Sequence, residues 1–213
     1  RTLVYLGCSQ HSDGGFPQNF WLDGTPLHTA IQLDQVAFPI ILAWRLWQLD
    51  GLGDFDPYPM VQRGAAFLIR QGPMTQQERW EEASGYSPST LAVTIAALVC
   101  AADFARSRGA PDTARFLEQY ADFIESRLEA WTVTTEGTLV PGIPRHCIRI
   151  HPTTVEDHSP DGNPNAASLV VANRPPGGPW LFPAKDVIDA GFLELVRYGI
   201  RKPGDALIED SLQ

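Results

Sequence analysis

The sequence predicts an all-α protein, and three observations support this class. Apolar residues recur at helical spacing in five segments, and a short sixth segment follows Pro203. Proline or glycine stands at most of the segment ends. The connections alternate between short turns and long irregular loops. This order fits a toroid of antiparallel helix pairs, with the long loops gathered at one end; an irregular helical bundle is the alternative.

The predicted helices begin and end at recognisable residues. The first, from Pro26 to Asp50, is apolar on most sides and therefore buried, and Pro39 should kink or interrupt it. The third begins at Pro88 after the N-cap candidate Ser87, and Gly109 ends it. The other predicted helices run from Pro57 to Arg70, from Pro111 through Leu128, from Pro183 to Tyr198, and briefly after Pro203.

The stretch from Thr132 to Leu181 breaks this helical pattern. Two β-prone pieces, Trp131 to Thr135 and Cys147 to Ile150, alternate there with turn clusters rich in proline and glycine. A helix-free loop of this length is unusual in a compact domain, and long loops commonly carry function. We therefore expect a long irregular loop that contains short strands.

Composition excludes several classes of function. The chain has 213 residues and a formal net charge of -9, which disfavours nucleic acids and anionic membranes as partners. Its longest apolar run falls short of the roughly 18 residues that a membrane helix needs. Cys8, Cys100 and Cys147 are odd in number and irregularly spaced, so they indicate neither a disulfide framework nor a zinc site.

The segment from Gln71 to Thr90, QGPMTQQERWEEASGYSPST, is dense in side chains that can form hydrogen bonds, and it includes carboxylates beside an indole ring. Trp80 stands beside Glu81 and Glu82 in a loop between two predicted helices, and carbohydrate sites use such a mixture of rings and carboxylates. Glycoside hydrolysis needs a carboxylic acid that stays protonated near neutral pH, which an aromatic wall and a second carboxylate both favour. The two adjacent glutamates point in different directions, which predicts different roles.

Other interpretations of the charged residues exist. Glu78, Glu81 and Glu82 could form a solvated helix face with Arg79 as their ion-pair partner. A metal site is a second alternative, although its candidate ligands match no familiar spacing. Those candidates are His146, Cys147, His151, Glu156, Asp157 and His158. A structural calcium ion on Asp161, Asn163 and Asn165 is a third, but the closing glutamate of a calcium loop is missing and a turn is the default.

Three segments together resemble the bacterial branch of the glucoamylase and glucodextranase family. They are GGFPQNFWLDG (Gly14 to Gly24) with QLDQVAFPIILAWRL (Gln32 to Leu46), GPMTQQERWEEASGYSPST (Gly72 to Thr90), and VIDAGFLELVRYGIR (Val187 to Arg201). The second segment is the most specific. The resemblance covers nearly the whole chain and implies an (α/α)6 barrel that carries an inverting, exo-acting α-glucosidase.

The resemblance also implies roles for single residues. The family's general acid is the glutamate directly after the tryptophan, which is Glu81 here. Glu82 is similar to the glutamate that binds a substrate hydroxyl, and Trp80 to a sugar-contacting tryptophan. Further substrate-binding residues are expected in the family's other site-forming loop, at Trp21, Gln32 and Asp34.

Two parts of the family's machinery have no counterpart in this chain. The catalytic base is a second glutamate that should lie beyond Gln213, and an Arg–Asp pair that holds the non-reducing glucose should lie before Arg1. About half of the barrel is therefore expected. Residues 1–213 are expected to be a segment of one (α/α)6 catalytic domain, truncated at both ends and inefficient by itself.

The expected function is release of glucose from the non-reducing ends of α-glucans with inversion, of glucoamylase or glucodextranase type. An inactive carbohydrate-binding or structural fragment is the alternative, and an unrelated toroid enzyme such as an epimerase would need a histidine pair that we do not find. The expected partner is an α-glucan or α-glucoside, with no cofactor, nucleic acid or membrane. The linkage, α-1,4, α-1,6 or α,α-1,1, stays open, and secretion is favoured slightly over the cytoplasm.

Overall fold

The computed structural model describes residues 1–27, 30–153, 162–172 and 175–213. Helices dominate, as the sequence predicts. They are α1 (Thr2–Ser9), α2 (Leu33–Gln48), α3 (Tyr58–Gln71), α4 (Pro88–Ser107), α5 (Pro111–Thr132), α6 (Glu194–Arg197) and α7 (Ala206–Leu212). The strands of the described residues are short and pair as four antiparallel two-stranded sheets. They are β1 (Asn19–Phe20) with β2 (Pro26–Leu27), β3 (Gly85–Tyr86) with β6 (His151–Pro152), β4 (Val133–Thr134) with β5 (His146–Cys147), and β7 (Ser168–Val170) with β8 (Leu181–Pro183).

The chain divides into two compact units. The first contains residues 1–73 and 93–124, and the second contains residues 74–92 and 125–213. In the first unit α2 packs against α3, where Gly64 lets the helices approach closely. A Cβ atom on Gly64 would lie 3.2 Å from Cδ1 of Ile40. Trp44 and Trp47 also serve packing: the Trp44 indole donates to Asp103, and Trp47 stacks on Phe104.

The prediction for the first helix is partly wrong. The helix begins at Leu33 and not at Pro26, because Pro26 and Leu27 form β2, and Gln32 is extended. Pro39 lies inside α2 without ending it. Proline removes only one backbone donor from a helix, and the buried apolar face of α2 continues through Val36 and Ile40 on either side of it.

The prediction of one helix from Pro183 to Tyr198 is wrong. That stretch contains the end of β8, two short 3-10 turns (Ala184–Asp186 and Ala190–Leu193) and the single helical turn α6. Asp189 accounts for part of the interruption, since its side chain accepts from the N–H of Gly191 and so caps the second 3-10 turn. The Asp186 side chain accepts from the backbone N–H and the hydroxyl of Thr138, outside this stretch.

The second unit has a small apolar cluster at its centre. Ile150, Leu169 and Ala184 are buried together, and the partly buried Ala83 and Val187 pack against them. The predicted long loop supplies most of this cluster, along with β4 to β8. The prediction of short strands within that loop is confirmed.

Helix α4 is a long and strongly apolar element. It is long and apolar enough to cross a bilayer, but 72% of its most apolar stretch is buried in protein. Burial in protein explains why α4 is so apolar, and it agrees with the prediction that this stretch is a buried helix.

Candidate functional site

The segment that connects α3 to α4 closes on itself as a tight loop, residues 75–85, which we call the 75–85 loop. Thr75 and Gly85 exchange two backbone hydrogen bonds of 3.0 and 2.9 Å. Inside this pair, the N–H of Glu78 donates to the carbonyl of Ala83. Gly85 and Tyr86 then pair with β6. The segment that was predicted to carry the catalytic residues is therefore a hydrogen-bonded loop and not a helix face.

Glu81 stands at the tip of this loop in an unusual backbone conformation. Its φ is 61°, in the left-handed region, which costs an L-residue other than glycine about 1–2 kcal/mol. Its N–H donates to the carbonyl of Glu78 at 2.7 Å, and its own carbonyl accepts from the Gln77 amide at 3.1 Å. The residue is exposed, so a substrate can reach its side chain.

Glu78 lies under the tip and is only 1% exposed. Its carboxylate accepts from the backbone N–H of Trp80 at 2.7 Å and from that of Glu82 at 3.4 Å. It also accepts a 2.7 Å hydrogen bond from the guanidinium of Arg149. The interpretation of Glu78 as a solvated residue paired with Arg79 is therefore wrong.

Arg149 follows β5 and is the cation of the site. Its side chain is 6% exposed, bonds to both Glu78 and Glu82, and lies with its guanidinium carbon 5.5 Å from the centre of the Trp80 ring. Burial alone would lower the pKa of Arg149, but the hydrogen bonds and charges of Glu78 and Glu82 outweigh burial and raise it. Arg149 therefore remains charged at any physiological pH.

Trp80 is held by its nitrogen while its ring stays accessible. The indole N–H donates to Asp189 at 2.5 Å, and the other oxygen of Asp189 accepts from the N–H of Gly191. The residue is 47% exposed. An accessible indole that is held in this way offers a flat apolar surface of the kind that can pack against a sugar ring.

The Glu82 carboxylate is nearly buried, at 6% exposure, and both of its oxygens have protein partners. One accepts from the backbone N–H of Ala172 at 3.0 Å, and the other from Arg149 at 2.5 Å. Each carboxylate oxygen can accept more than one hydrogen bond. The predicted contact of Glu82 with a substrate hydroxyl would therefore add to these bonds.

The other predicted substrate-binding residues lie in the first unit. Trp21 is 61% exposed in the turn between β1 and β2. Gln32 is buried at the start of α2, where it accepts from the Gln35 amide and lines a polar cavity together with residues such as His11. Asp34 lies in the first turn of α2. Their roles stay predictions.

Comparison with known proteins assigns the chain to a family. Residues 9–209 match the model for glycosyl hydrolases family 15. The chain belongs to this family. A glucoamylase from Clostridium sp. (strain G0005) is 38% identical over 214 residues, which cover 100% of this chain and 28% of that protein. The predicted recognition is thereby confirmed.

A solved structure supports the same assignment. The crystal structure of a bacterial glucoamylase complexed with acarbose matches with a TM-score of 0.82 and 37% identity, over 100% of this chain and 29% of that one. The predicted fold class, part of the (α/α)6 toroid of these enzymes, is thereby confirmed. The chain spans less than a third of the length of these two family 15 relatives.

Two residues of this candidate site, Arg149 and Asp189, are not among those predicted from the sequence. Both lie far along the chain from the 75–85 loop, and each is a single charged residue in a short apolar segment. A charged residue inside an apolar segment such as CIRI or VIDA is itself a signal, since buried charges are retained only with partners.

The histidines that were considered as metal ligands serve packing instead. His146 bonds through Nε2 to the carbonyl of Lys185, and His151 pairs with Tyr86 across β3 and β6. Burial lowers the pKa of His151. Glu156, Asp157 and His158 lie outside the described residues, and among those described no three His, Cys, Asp or Glu side chains could hold a metal ion.

Two of the three oxygens that were considered as calcium ligands already accept hydrogen bonds within the described part of the loop. The side-chain oxygen of Asn165 accepts from the hydroxyl of Thr134 and the N–H of Thr135. The side-chain oxygen of Asn163 accepts from the N–H of Asn165, which is a turn of the kind that asparagine forms. Asp161 lies outside the described residues.

Proposed function

We propose that this chain carries the general acid of an inverting glycoside hydrolase that releases glucose from the non-reducing ends of α-glucans. One observation carries the proposal: Glu81 is exposed on a strained turn between Trp80 and Glu82, whose side chains are both anchored. Strained backbone at an exposed carboxyl is typical of a functional site.

The chemistry follows from this arrangement. The Glu81 carboxyl gives its proton to the glycosidic oxygen, and the bond from C1 to that oxygen breaks with its electron pair on oxygen. A water molecule attacks C1 from the opposite face and loses its proton to a second carboxylate. Inverting enzymes hold the two carboxyl groups roughly 6.5–9.5 Å apart so that this water fits.

The substrate class is inferred from the relatives. One relative is a glucoamylase, and another was solved as a bacterial glucoamylase complexed with acarbose. The half-exposed Trp80 ring suits a pyranose face, and a formal net charge of -9 suits a neutral glucan better than an anionic polymer. Trp21, Gln32 and Asp34 are proposed as further substrate contacts.

The first test is the variant Glu81→Gln in the natural full-length protein. Gln keeps the size of Glu81 but has no proton to donate, so kcat should fall by about 10²–10⁴-fold. Binding of a slowly cleaved oligosaccharide, measured by isothermal titration calorimetry, should change little. Turnover near that of the unaltered protein would refute the assignment of Glu81.

Glu209→Gln is the matched control for this test. Glu209 is an exposed glutamate on α7 in the same unit, outside the 75–85 loop. The same loss of one negative charge should leave kcat and KM unchanged there. Maltose, isomaltose and trehalose assayed in parallel would identify the linkage.

A second candidate function is carbohydrate binding without catalysis by this segment alone. The observation that favours it is coverage, since the chain spans only 28% of the glucoamylase relative. Titration calorimetry of the 213-residue chain with maltooligosaccharides, beside an assay for released glucose, separates the candidates. Binding without glucose release supports the second candidate, and turnover by the chain refutes it.

A further inference from the structure

We propose that Glu78 is a positioning residue for Glu81, a role that rests on the function proposed above. The buried Glu78 carboxylate binds the backbone N–H groups on both sides of Glu81. The bond to Trp80 N–H is 2.7 Å long, and the contact with Glu82 N–H is 3.4 Å. The Glu82 N–H belongs to the peptide unit that directly follows Glu81, and the Trp80 N–H fixes the chain one peptide unit before it. Together they restrain the backbone at Glu81, and through it the direction of its side chain.

The backbone of Glu78 reinforces the same turn. Its carbonyl accepts the N–H of Glu81 at 2.7 Å, and its N–H donates to the carbonyl of Ala83 at 3.0 Å. One residue thus fixes the chain immediately before, at and after the acid. Because Glu78 is 1% exposed, it cannot itself contact a sugar, so its contribution is to position Glu81 and not to react.

Arg149 connects this turn to the rest of the second unit. It neutralises Glu78 through a 2.7 Å bond, and its own backbone N–H donates to the carbonyl of Val187 at 2.8 Å. A buried carboxylate without such a cation would be unfavourable. The turn that presents Glu81 is therefore held by a residue from outside the 75–85 loop.

The expected cost of losing Glu78 follows from the geometry of proton transfer. A general acid must lie within hydrogen-bond reach of the leaving oxygen, roughly 2.6–3.2 Å, and a shift of about 1 Å in a catalytic group can cost about 10²-fold in rate. In Glu78→Gln, one acceptor oxygen becomes an NH₂ donor that faces either an N–H group or the guanidinium. The turn then loses one of its anchors while the side-chain volume is kept.

The experiment compares two substrates in the natural full-length protein. One is an α-linked glucose disaccharide that the enzyme cleaves, whose sugar leaving group needs a proton from Glu81. The other is α-glucosyl fluoride, whose fluoride leaves with little protonation. If Glu78 positions the acid, Glu78→Gln should lower kcat on the disaccharide about 10- to 100-fold. The rate on the fluoride should change less than about threefold because it scarcely depends on general acid catalysis.

The ratio of the two rates in one preparation is independent of the fraction of folded enzyme. A purely structural role for Glu78 would lower both rates equally and leave this ratio unchanged. KM for the disaccharide should also stay within about threefold, since Glu78 is buried away from substrate.

Two further variants serve as controls. Glu125→Gln alters a similar cluster in the same unit, where Arg201 bonds to both Glu125 and Glu129, and should leave the ratio unchanged. Arg149→Lys keeps the charge but loses the planar fork. It should show the same selective loss as Glu78→Gln, and it replaces that variant if Glu78→Gln does not fold.

Glu81→Gln separates failure of this proposal from failure of the proposed function. Suppose that Glu81→Gln lowers the rate on the disaccharide and spares the rate on the fluoride. If Glu78→Gln then lowers both rates equally, or lowers neither rate, the positioning role is refuted and the acid assignment stands. If Glu81→Gln shows no selective loss on the disaccharide, the proposed function itself is refuted, and the positioning role with it.

Discussion

The backbone at Glu81 is strained where the proposed chemistry takes place. A φ of 61° is natural for glycine and tolerated by asparagine, but glutamate adopts it only when neighbouring contacts compel it. In the 75–85 loop these contacts come chiefly from Glu78, through both its backbone and its carboxylate. The strained backbone at Glu81 therefore lowers the stability of the loop somewhat, while it fixes the direction of the Glu81 side chain.

Because the backbone at Glu81 is strained, we expect two inactive variants at this position to differ in stability. Glu81→Asn should raise the free energy of unfolding by about 0.5–1 kcal/mol over Glu81→Gln, because asparagine accepts the left-handed region and glutamine does not. Both variants lack the acid, so the comparison isolates the backbone. Urea unfolding followed by circular dichroism measures the difference. Equal stability of the two variants would show that the turn is not strained.

At this scale the sequence indicates the proposed acid, Glu81, but not the residues that hold it in place. Trp80, Glu81 and Glu82 are found because they adjoin in a recognisable segment. Arg149 and Asp189 reach the loop across 67 to 109 positions of the chain, and periodicity carries no information about such contacts. The burial of Glu78 is equally hidden, since a glutamate between polar neighbours normally indicates a surface residue.

The pairing of β3 with β6 depends on Gly85. Its φ is 147°, and a Cβ atom there would lie 2.0 Å from the carbonyl oxygen of His151, closer than atoms can approach. Gly85 also closes the 75–85 loop by pairing with Thr75. One residue without a side chain thus joins the loop to its neighbouring strand.

Gly85→Ala should destabilise the second unit by about 3 kcal/mol or more, because a methyl group forces β3 away from β6. Gly142→Ala is the matched control: Gly142 also has a positive φ, of 86°, but nothing lies within 4 Å of its added Cβ. That variant should lose only about 1 kcal/mol. Thermal unfolding of both variants measures the difference, and equal losses would refute the steric argument.

Helices were predictable where their ends are marked and not where side chains interrupt them. Pro88 and Pro111 begin α4 and α5 as the sequence indicates. The stretch from Pro183 to Tyr198 has helical spacing, yet the Asp189 side chain caps a separate short turn there and Asp186 bonds to Thr138 elsewhere in the chain. The strands of the described residues are two or three residues long. Such strands are too short to show a recognisable alternation of apolar and polar residues in the sequence.

The three cysteines differ in their environments over the whole molecule, and all are free thiols. Burial raises the pKa of Cys100 to about 12 and that of Cys147 to about 11. Cys8 is exposed on α1. Since only the thiolate reacts quickly, Cys100 and Cys147 should be nearly inert at neutral pH.

Labelling with a disulfide reagent at pH 8 should therefore modify one thiol quickly in the folded chain and three in concentrated urea. Cys8→Ser should remove the fast reaction and leave the slow ones, because Cys8 is exposed while Cys100 is partly buried and Cys147 is buried. Absorbance of the released chromophore gives the count. Fast modification of two or three thiols in the folded protein would contradict the raised pKa values of Cys100 and Cys147.

The long-range anchors of the 75–85 loop also constrain the order of events during synthesis. The loop leaves the ribosome before Arg149, Ala172 and Asp189 exist, and the last of these follows Trp80 by 109 residues. At about 5–20 residues per second, the ribosome needs about 5–20 s to supply them. For those seconds the nascent chain holds Glu81 on a turn that lacks its supports. The contacts that surround the proposed acid are thus complete only after Asp189 has been synthesised.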